Sequence, residues 1–217
     1  GLGSDGIDFA IAGFGPHSVN CGSLIFSNRV ISFLGASDVR LGGVFNFQAG
    51  ANVRNAHFYG ASVNVPNGSV ENCHFYGGTL TVGENFINLS GNHFSNTAVM
   101  VGQGGMLGAD NQWEGNNSTI VLYTNCMVDG AKGAALTAMG SNRIYNCELT
   151  KLDLWDGAGS VVTGCVVSFG TSGTCVFRGN NLHLIGNTLC AGGALNSPGV
   201  IGSNAVIHAN ACYSNAH

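Results

Sequence analysis

Glu114 and Asp129 each close a short apolar run and precede a glycine, as WEG and VDG. Stacked in one column on successive turns of a repeating structure, their carboxylates would lie near 5 Å apart, about the separation used by a retaining glycosidase. Repulsion would raise one pKa and make the two an acid–base pair. Two solvated turn carboxylates are the plainer reading of the same residues. The stretch TKLDLWDG (150–157) is the most charged in the chain. As a strand with Leu152 and Leu154 inward, it turns Lys151, Asp153 and Trp155 outward, with Asp156 following. An aromatic beside an acid and a base suits stacking on a sugar. Lys151 with Arg178 also suits a lyase-like base, and Asp153 is a third candidate catalytic carboxylate. A solvated sheet face with one exposed tryptophan needs nothing more than these residues either.

His57, His74 and His93 recur with Gln112 next in line, and Tyr59 and Tyr76 stand two positions beyond the first two histidines. The tyrosines form a small aromatic platform for sugar or partner binding, or simple surface packing at a turn. Metal ligands must converge on one point, whereas ladder side chains run parallel, so no metal and no other cofactor is expected. GQGG (102–105) lacks the strand–helix setting of a nucleotide loop, and neither a nucleophile elbow nor HExxH occurs.

What positions these residues is a repeat. VRNAHF (53–58), VENCHF (70–75), LSGNHF (89–94), GADNQW (108–113), YTNCMV (123–128), IYNCEL (144–149), VTGCVV (162–167), LIGNTL (184–189) and IHANAC (207–212) align with steps of 15 to 23 residues. The first column, Val53, Val70, Leu89, Gly108, Tyr123, Ile144, Val162, Leu184 and Ile207, is apolar at eight of nine places and reads as inward-facing. The third is Asn, Asp or Gly at eight of nine, residues that tolerate a left-handed backbone and so a sharp bend. The fourth column mixes Ala, Cys and Asn, and the sixth runs Phe58, Phe75, Phe94, Trp113 and then mostly aliphatic residues. Bend, in, out, in is strand alternation after a corner. Val63/Val65, Leu80/Val82, Val99/Val101, Leu152/Leu154 and Cys175/Phe177 give a further alternating strand.

Units this small cannot bury an apolar face alone, but stacking them buries it continuously. On the pattern apolar-x-(Asn/Gly)-(Asn/Cys)-x-apolar over roughly 51–212, the chain resembles the right-handed parallel β-helix of the pectin-lyase-like superfamily. The resemblance implies an all-β, single-stranded right-handed parallel β-helix of about nine to eleven short coils, with an asparagine ladder at the tight bend. One domain over 1–217 is expected, with 1–50 as N-terminal coils or cap, including VISFL (30–34) and VFNF (44–47) as strands, and 51–217 as regular coils. The superfamily holds lyases, hydrolases, phage tailspikes and adhesins, so the likeness implies architecture more than activity.

Composition narrows the function. Charged residues make up 8% of the chain, and seven Lys plus Arg spread along it cannot track a phosphate backbone, which excludes nucleic acid. No apolar stretch is long enough to insert in a membrane. Of eight cysteines, Cys73, Cys126, Cys147 and Cys165 share the fourth column and read as buried thiols; a bridge among the last three, or a metal site, is the alternative. Thiols favour assembly in a reducing cytoplasm, as for a phage structural protein. The turns are short, and no long insertion builds a cleft. The expectation is a non-enzymatic structural or receptor- and glycan-binding module of a phage or virion appendage or bacterial surface protein, located on a virion or outside the cell. It would self-associate as a homotrimer or join a larger fibre, and meet cell-surface polysaccharide. A polysaccharide hydrolase or lyase is the alternative.

Overall fold

A computed structural model of the chain describes residues 7–10, 17–26, 30–34, 39–47, 51–84, 88–115, 117–169, 176–191 and 203–214. Among these residues every regular element is a strand, and each strand pairs in parallel with the equivalent strand one turn away. The result is a parallel β-solenoid. One sheet has eleven strands, from Ile7–Ala10 to Val206–His208, with Val30–Leu34, Ala51–Arg54, Gly68–Glu71 and their successors between them. The other two faces belong to a single 16-stranded sheet. They join because a few strands are long enough to run through both. In Val39–Phe47, Leu41 pairs with Phe58 on the second face, while Val44 pairs with Ser62 on the third. Gly43, with φ at 102°, turns the corner between them. Lys132–Met139 and Glu148–Trp155 make the same turn through an irregular register near Ala134.

The corner after the first sheet explains the Asn/Gly column. Asn55, Asn72, Gly91, Gly130, Asn146, Gly164, Gly186 and Ala209 all have φ between 50° and 71°. Only glycine and, at modest cost, asparagine enter this region freely, which makes Ala209 the odd member. A second left-handed column, Gly60, Gly77, Asn96 and Gly115, makes the next corner, two residues after the inward aromatic. The sequence carries that signal as YG, YG, SN and EG.

Inside, Val53, Val70, Leu89, Ile144, Val162 and Leu184 of the first column are buried, whereas Ile207, expected to face inward, is 57% exposed on the last described rung of its sheet; the sixth column begins with a stack of rings. Phe58, Phe75 and Phe94 lie 5.0 and 5.3 Å apart centroid to centroid, and Trp113 follows at 4.6 Å. The fourth column is buried too, and its asparagines tie successive rungs together. Asn92 Oδ1 accepts from the Cys73 N–H at 2.9 Å, and Asn111 Oδ1 accepts from the Asn92 N–H at 3.0 Å. The Asn92 and Asn111 amide groups donate onward to the Val70 and Leu89 carbonyls at 2.8 and 2.7 Å. Asn187 and Asn210 repeat this under Cys165. The asparagine ladder therefore lies one place beyond the left-handed residues, in the interior.

Two repeats sit differently from their sequence alignment. Leu107, not Gly108, pairs with Leu89, because Gly108 and its neighbours form an added turn before Asn111. YTNCMV belongs to a different corner: Val128 pairs with Leu107 and Ile144, and so occupies the first column that Tyr123 was assigned. Asn125 is left-handed and Cys126 is buried, as the pattern required, but they precede the first sheet instead of following it. Cys126 therefore stands apart from the column of Cys73, Cys147 and Cys165. Its N–H is held by Asn142 Oδ1 at 2.9 Å, and Ser160 Oγ accepts from the Asn142 N–H at 3.0 Å, a second polar ladder at this corner.

Candidate functional site

The strands His57–Tyr59, His74–Tyr76, His93–Ser95 and Gln112–Glu114 lie side by side in register on the second face. Their middle residues are the inner ring stack, so alternation sends the flanking residues outward. The result is two outward ladders resting on an aromatic floor. His57 and His74 stack at 4.4 Å with planes 9° apart, and Tyr59 and Tyr76 stack at 4.5 Å with planes 17° apart. His93 turns its edge to both His74 and Tyr76, at 5.3 and 5.9 Å. The Tyr76 hydroxyl reaches His74 Nδ1 at 3.4 Å. At the end of the platform Glu114 Oε2 lies 3.2 Å from His93 Nε2. Burial, then the neighbouring His93, lowers the His74 pKa, while burial and the adjacent Tyr59 raise that of Tyr76. Both shifts favour the neutral forms of His74 and Tyr76 at the centre of the platform, and Glu114 places a carboxylate at its margin. Such a surface offers ring faces to apolar C–H groups, and hydroxyl and imidazole groups to hydrogen-bonding partners.

Glu114 and Asp129 do not form the stacked pair expected of a retaining glycosidase. Glu114 pairs with Ser95 on the second face, whereas Asp129 pairs with Tyr145 in the eleven-stranded sheet. The misplacement of YTNCMV by one corner had put them in a common column. Asp129 Oδ1 instead accepts from the Asn146 Nδ2–H at 3.1 Å.

The 151–156 patch forms on the third face. Leu152 and Leu154 point inward, and Lys151, Asp153 and Trp155 lie on the outer side. Asp153 is nevertheless buried, at 3% exposure, and Lys151 Nζ meets its Oδ2 at 2.6 Å. An outward carboxylate so enclosed and paired is a structural anchor more than an open catalytic base. Arg178 comes over the Trp155 ring at 4.5 Å, which brings together two residues distant in sequence. Asp156 occupies a left-handed turn position directly after Trp155. Tyr59 and Tyr76 thus lie on one face, and Lys151, Trp155, Asp156 and Arg178 around another.

Among the described residues no group of three or more His, Cys, Asp or Glu converges as metal ligands. Cys73, Cys126, Cys147 and Cys165 are buried free thiols, and Cys190 is a half-buried one. Burial pushes the Cys73 thiol up to about 12. The Cys147 thiol is raised by its hydrogen bond with Cys165 and by burial. The contribution missed at the level of sequence is that the histidine and tyrosine ladders are one surface. The signal was available: HFY, HFY and HFS place a histidine and a tyrosine or serine on the same side of each strand. No protein-family model, no curated protein and no solved structure matches the chain.

Proposed function

We propose that the chain is a non-enzymatic, glycan-binding β-solenoid, serving as a rigid rod in a phage or other virion appendage or on a bacterial surface. The reading follows from the likeness to the right-handed β-helices of the pectin-lyase-like superfamily, which holds tailspikes and adhesins as well as enzymes. The observation that carries the reading is the packed His57/His74/His93 and Tyr59/Tyr76 platform on the second face. A row of rings at the rung spacing of about 4.8 Å suits an extended polysaccharide laid across it, with hydroxyls of the sugar meeting the imidazoles and phenols. The low charge of the chain, 8% of residues, suits side-by-side assembly of rods as a homotrimer or within a larger fibre.

A hydrolase or lyase is the less favoured reading. Glu114 and Asp129 stand on different sheets, and Asp153 is enclosed by its own ion pair. One depression of about 280 Å³ is bordered by Asn125, Arg143 and Val161 and holds no carboxylate among its lining residues, whereas two others are lined in part by Glu148 and by Glu84. Incubation with host-surface polysaccharides separates the two readings. A binder retains polysaccharide and leaves its chain length unchanged on size-exclusion chromatography. Shortened chains that persist as full length when Glu114→Gln, Asp129→Asn or Asp153→Asn is introduced would replace the binder by an enzyme.

A further inference from the structure

We infer a second glycan-contact site along the corner that ends the third face, built on Tyr123, Met139 and Trp155; the inference rests on the glycan-binding reading above. The inward residues Val101, Leu122, Ala138, Leu154 and Phe177 are in register. The ladder continues one residue beyond them: Tyr123 N–H donates to the Val101 carbonyl at 2.9 Å, and Arg178 N–H to the Leu154 carbonyl at 3.0 Å. Gly102, Tyr123, Met139, Trp155 and Arg178 therefore occupy one outward column on successive rungs. Tyr123, Met139 and Trp155 are 46, 39 and 43% exposed, and they are the only large apolar side chains this exposed that follow one another rung by rung among the described residues.

The start of the column is shaped by absent side chains. A Cβ on Gly102 would collide with the Gly83 backbone, and one on Gly83 with the Pro66 backbone, so close rung packing requires glycine at both. Where the glycines run into Tyr123, a depression of about 320 Å³ opens, lined also by Thr81, Glu84, Gln103 and Thr124. A ring wall, a side-chain-free floor and hydroxyl and amide groups at the rim are what a pyranose requires: one face stacks, and the equatorial hydroxyls find donors and acceptors. From that subsite the chain of the ligand continues over Met139 to Trp155, about 10 Å on at two rung spacings. There Arg178, lying over the indole, still has N–H groups to offer to a hydroxyl.

The occupant is a neutral glycan chain lying parallel to the solenoid axis. Apart from Glu84 in the lining of the depression and Arg178 with Asp156 at the far end, the stripe of Gly102, Gln103, Tyr123, Thr124, Met139 and Gly140 carries no charge. A one-residue-wide stripe bordered by glycine and threonine is too narrow for the roughly 800 Å² per partner of a stable protein interface.

The chain has two tryptophans, and because Trp113 is only partly buried in the last strand of the platform, the emission titrations use a Trp113→Phe background in which Trp155 is the reporter. Neutral glucose hexasaccharides, β-1,4- and β-1,3-linked, are titrated by fluorescence and by calorimetry. We expect a saturable emission change with at least one of them, an affinity at least fivefold weaker in Tyr123→Ala, affinity within twofold of wild type in Tyr123→Phe, and an emission change that survives Tyr76→Ala. Circular dichroism and melting of each variant identify any that does not fold; Tyr123→Phe then carries the comparison with Trp155→Ala. Calorimetric binding without an emission change, and lost only in Tyr76→Ala, places the glycan on the platform and overturns the corner site while the general reading stands. Failure of both oligomers to bind overturns the corner site; failure of every polysaccharide in the panel above overturns the glycan reading itself. A loss of oligomer mass in Tyr123→Ala, with glycan affinity unchanged, assigns the stripe to self-association and overturns it as well.

Discussion

Replacing Asn92 isolates what the interior ladder contributes. The side chain is fully buried between Cys73 and Asn111. It accepts from the Cys73 N–H at 2.9 Å and donates to the Val70 carbonyl at 2.8 Å and to Asn111 Oδ1 at 3.1 Å. Truncation to alanine leaves the Cys73 N–H buried without this acceptor, at about 1–3 kcal/mol, and removes two donor contacts at about 1 kcal/mol each. The expected loss is about 3–5 kcal/mol, a large share of the ~5–15 kcal/mol that stabilises a typical domain. Asn92→Cys places in this column a residue that it already accepts at Cys73, Cys147 and Cys165. A thiol can donate to a carbonyl, as Cys73 Sγ does to Val53 O at 3.7 Å, but it cannot replace the acceptor for Cys73 N–H, so about 1–3 kcal/mol is expected. Asn92→Asp is worst, since a buried carboxylate would face the Val70 carbonyl and Asn111 Oδ1, both acceptors. Urea unfolding followed by circular dichroism gives the order, and amide exchange at Cys73 shows whether the loss is local to these rungs, as nearest-neighbour coupling in a solenoid requires. If Asn92→Ala lies within about 0.5 kcal/mol of wild type, the ladder reasoning is refuted.

Three further outcomes are expected. Ala209 holds a left-handed backbone at φ 52°, where the other members of its column are Asn or Gly, so Ala209→Asn should stabilise by about 0.5–1 kcal/mol in the same unfolding assay. Lys151→Ala should cost about 1–3 kcal/mol because it removes an ion pair from an Asp153 side chain only 5% exposed, whereas Lys132→Ala, from an exposed pair with Glu148, should cost under about 0.5 kcal/mol. The lowered pKa of His74 means that the unfolded chain takes up its proton first as pH falls. The stability from its neutral form is thus complete above about pH 6.5, the unfolded value, and is lost as pH drops through the folded one. The urea midpoint should accordingly fall between pH 7.5 and 5, and the fall should be smaller in His74→Gln.

The repeat made the solenoid legible because each rung must bury the same apolar positions and turn at the same corner. Asn55, Asn72, Asn146 and Gly164 show this directly, as their left-handed φ follows from residue type. The same logic misplaced YTNCMV. A left-handed Asn125, an inward Cys126 and an inward Val128 satisfy the pattern at a different corner, since each corner needs a bend followed by a small inward residue. Only strand register distinguishes the corners, and register depends on partners one turn away. From that single slip came both the apparent Glu114–Asp129 pair and the assignment of the exposed Tyr123 to the core. The burial of Asp153 was also invisible, because alternation tells which side a residue faces and not what covers it there.

The most direct test is affinity electrophoresis of the protein through gels containing host-surface polysaccharides, with wild type beside Tyr59→Ala/Tyr76→Ala. The platform account expects at least one polysaccharide to retard wild type more than the double variant, with circular dichroism unchanged. Equal retardation of both proteins, or none of wild type by any polysaccharide, would contradict it.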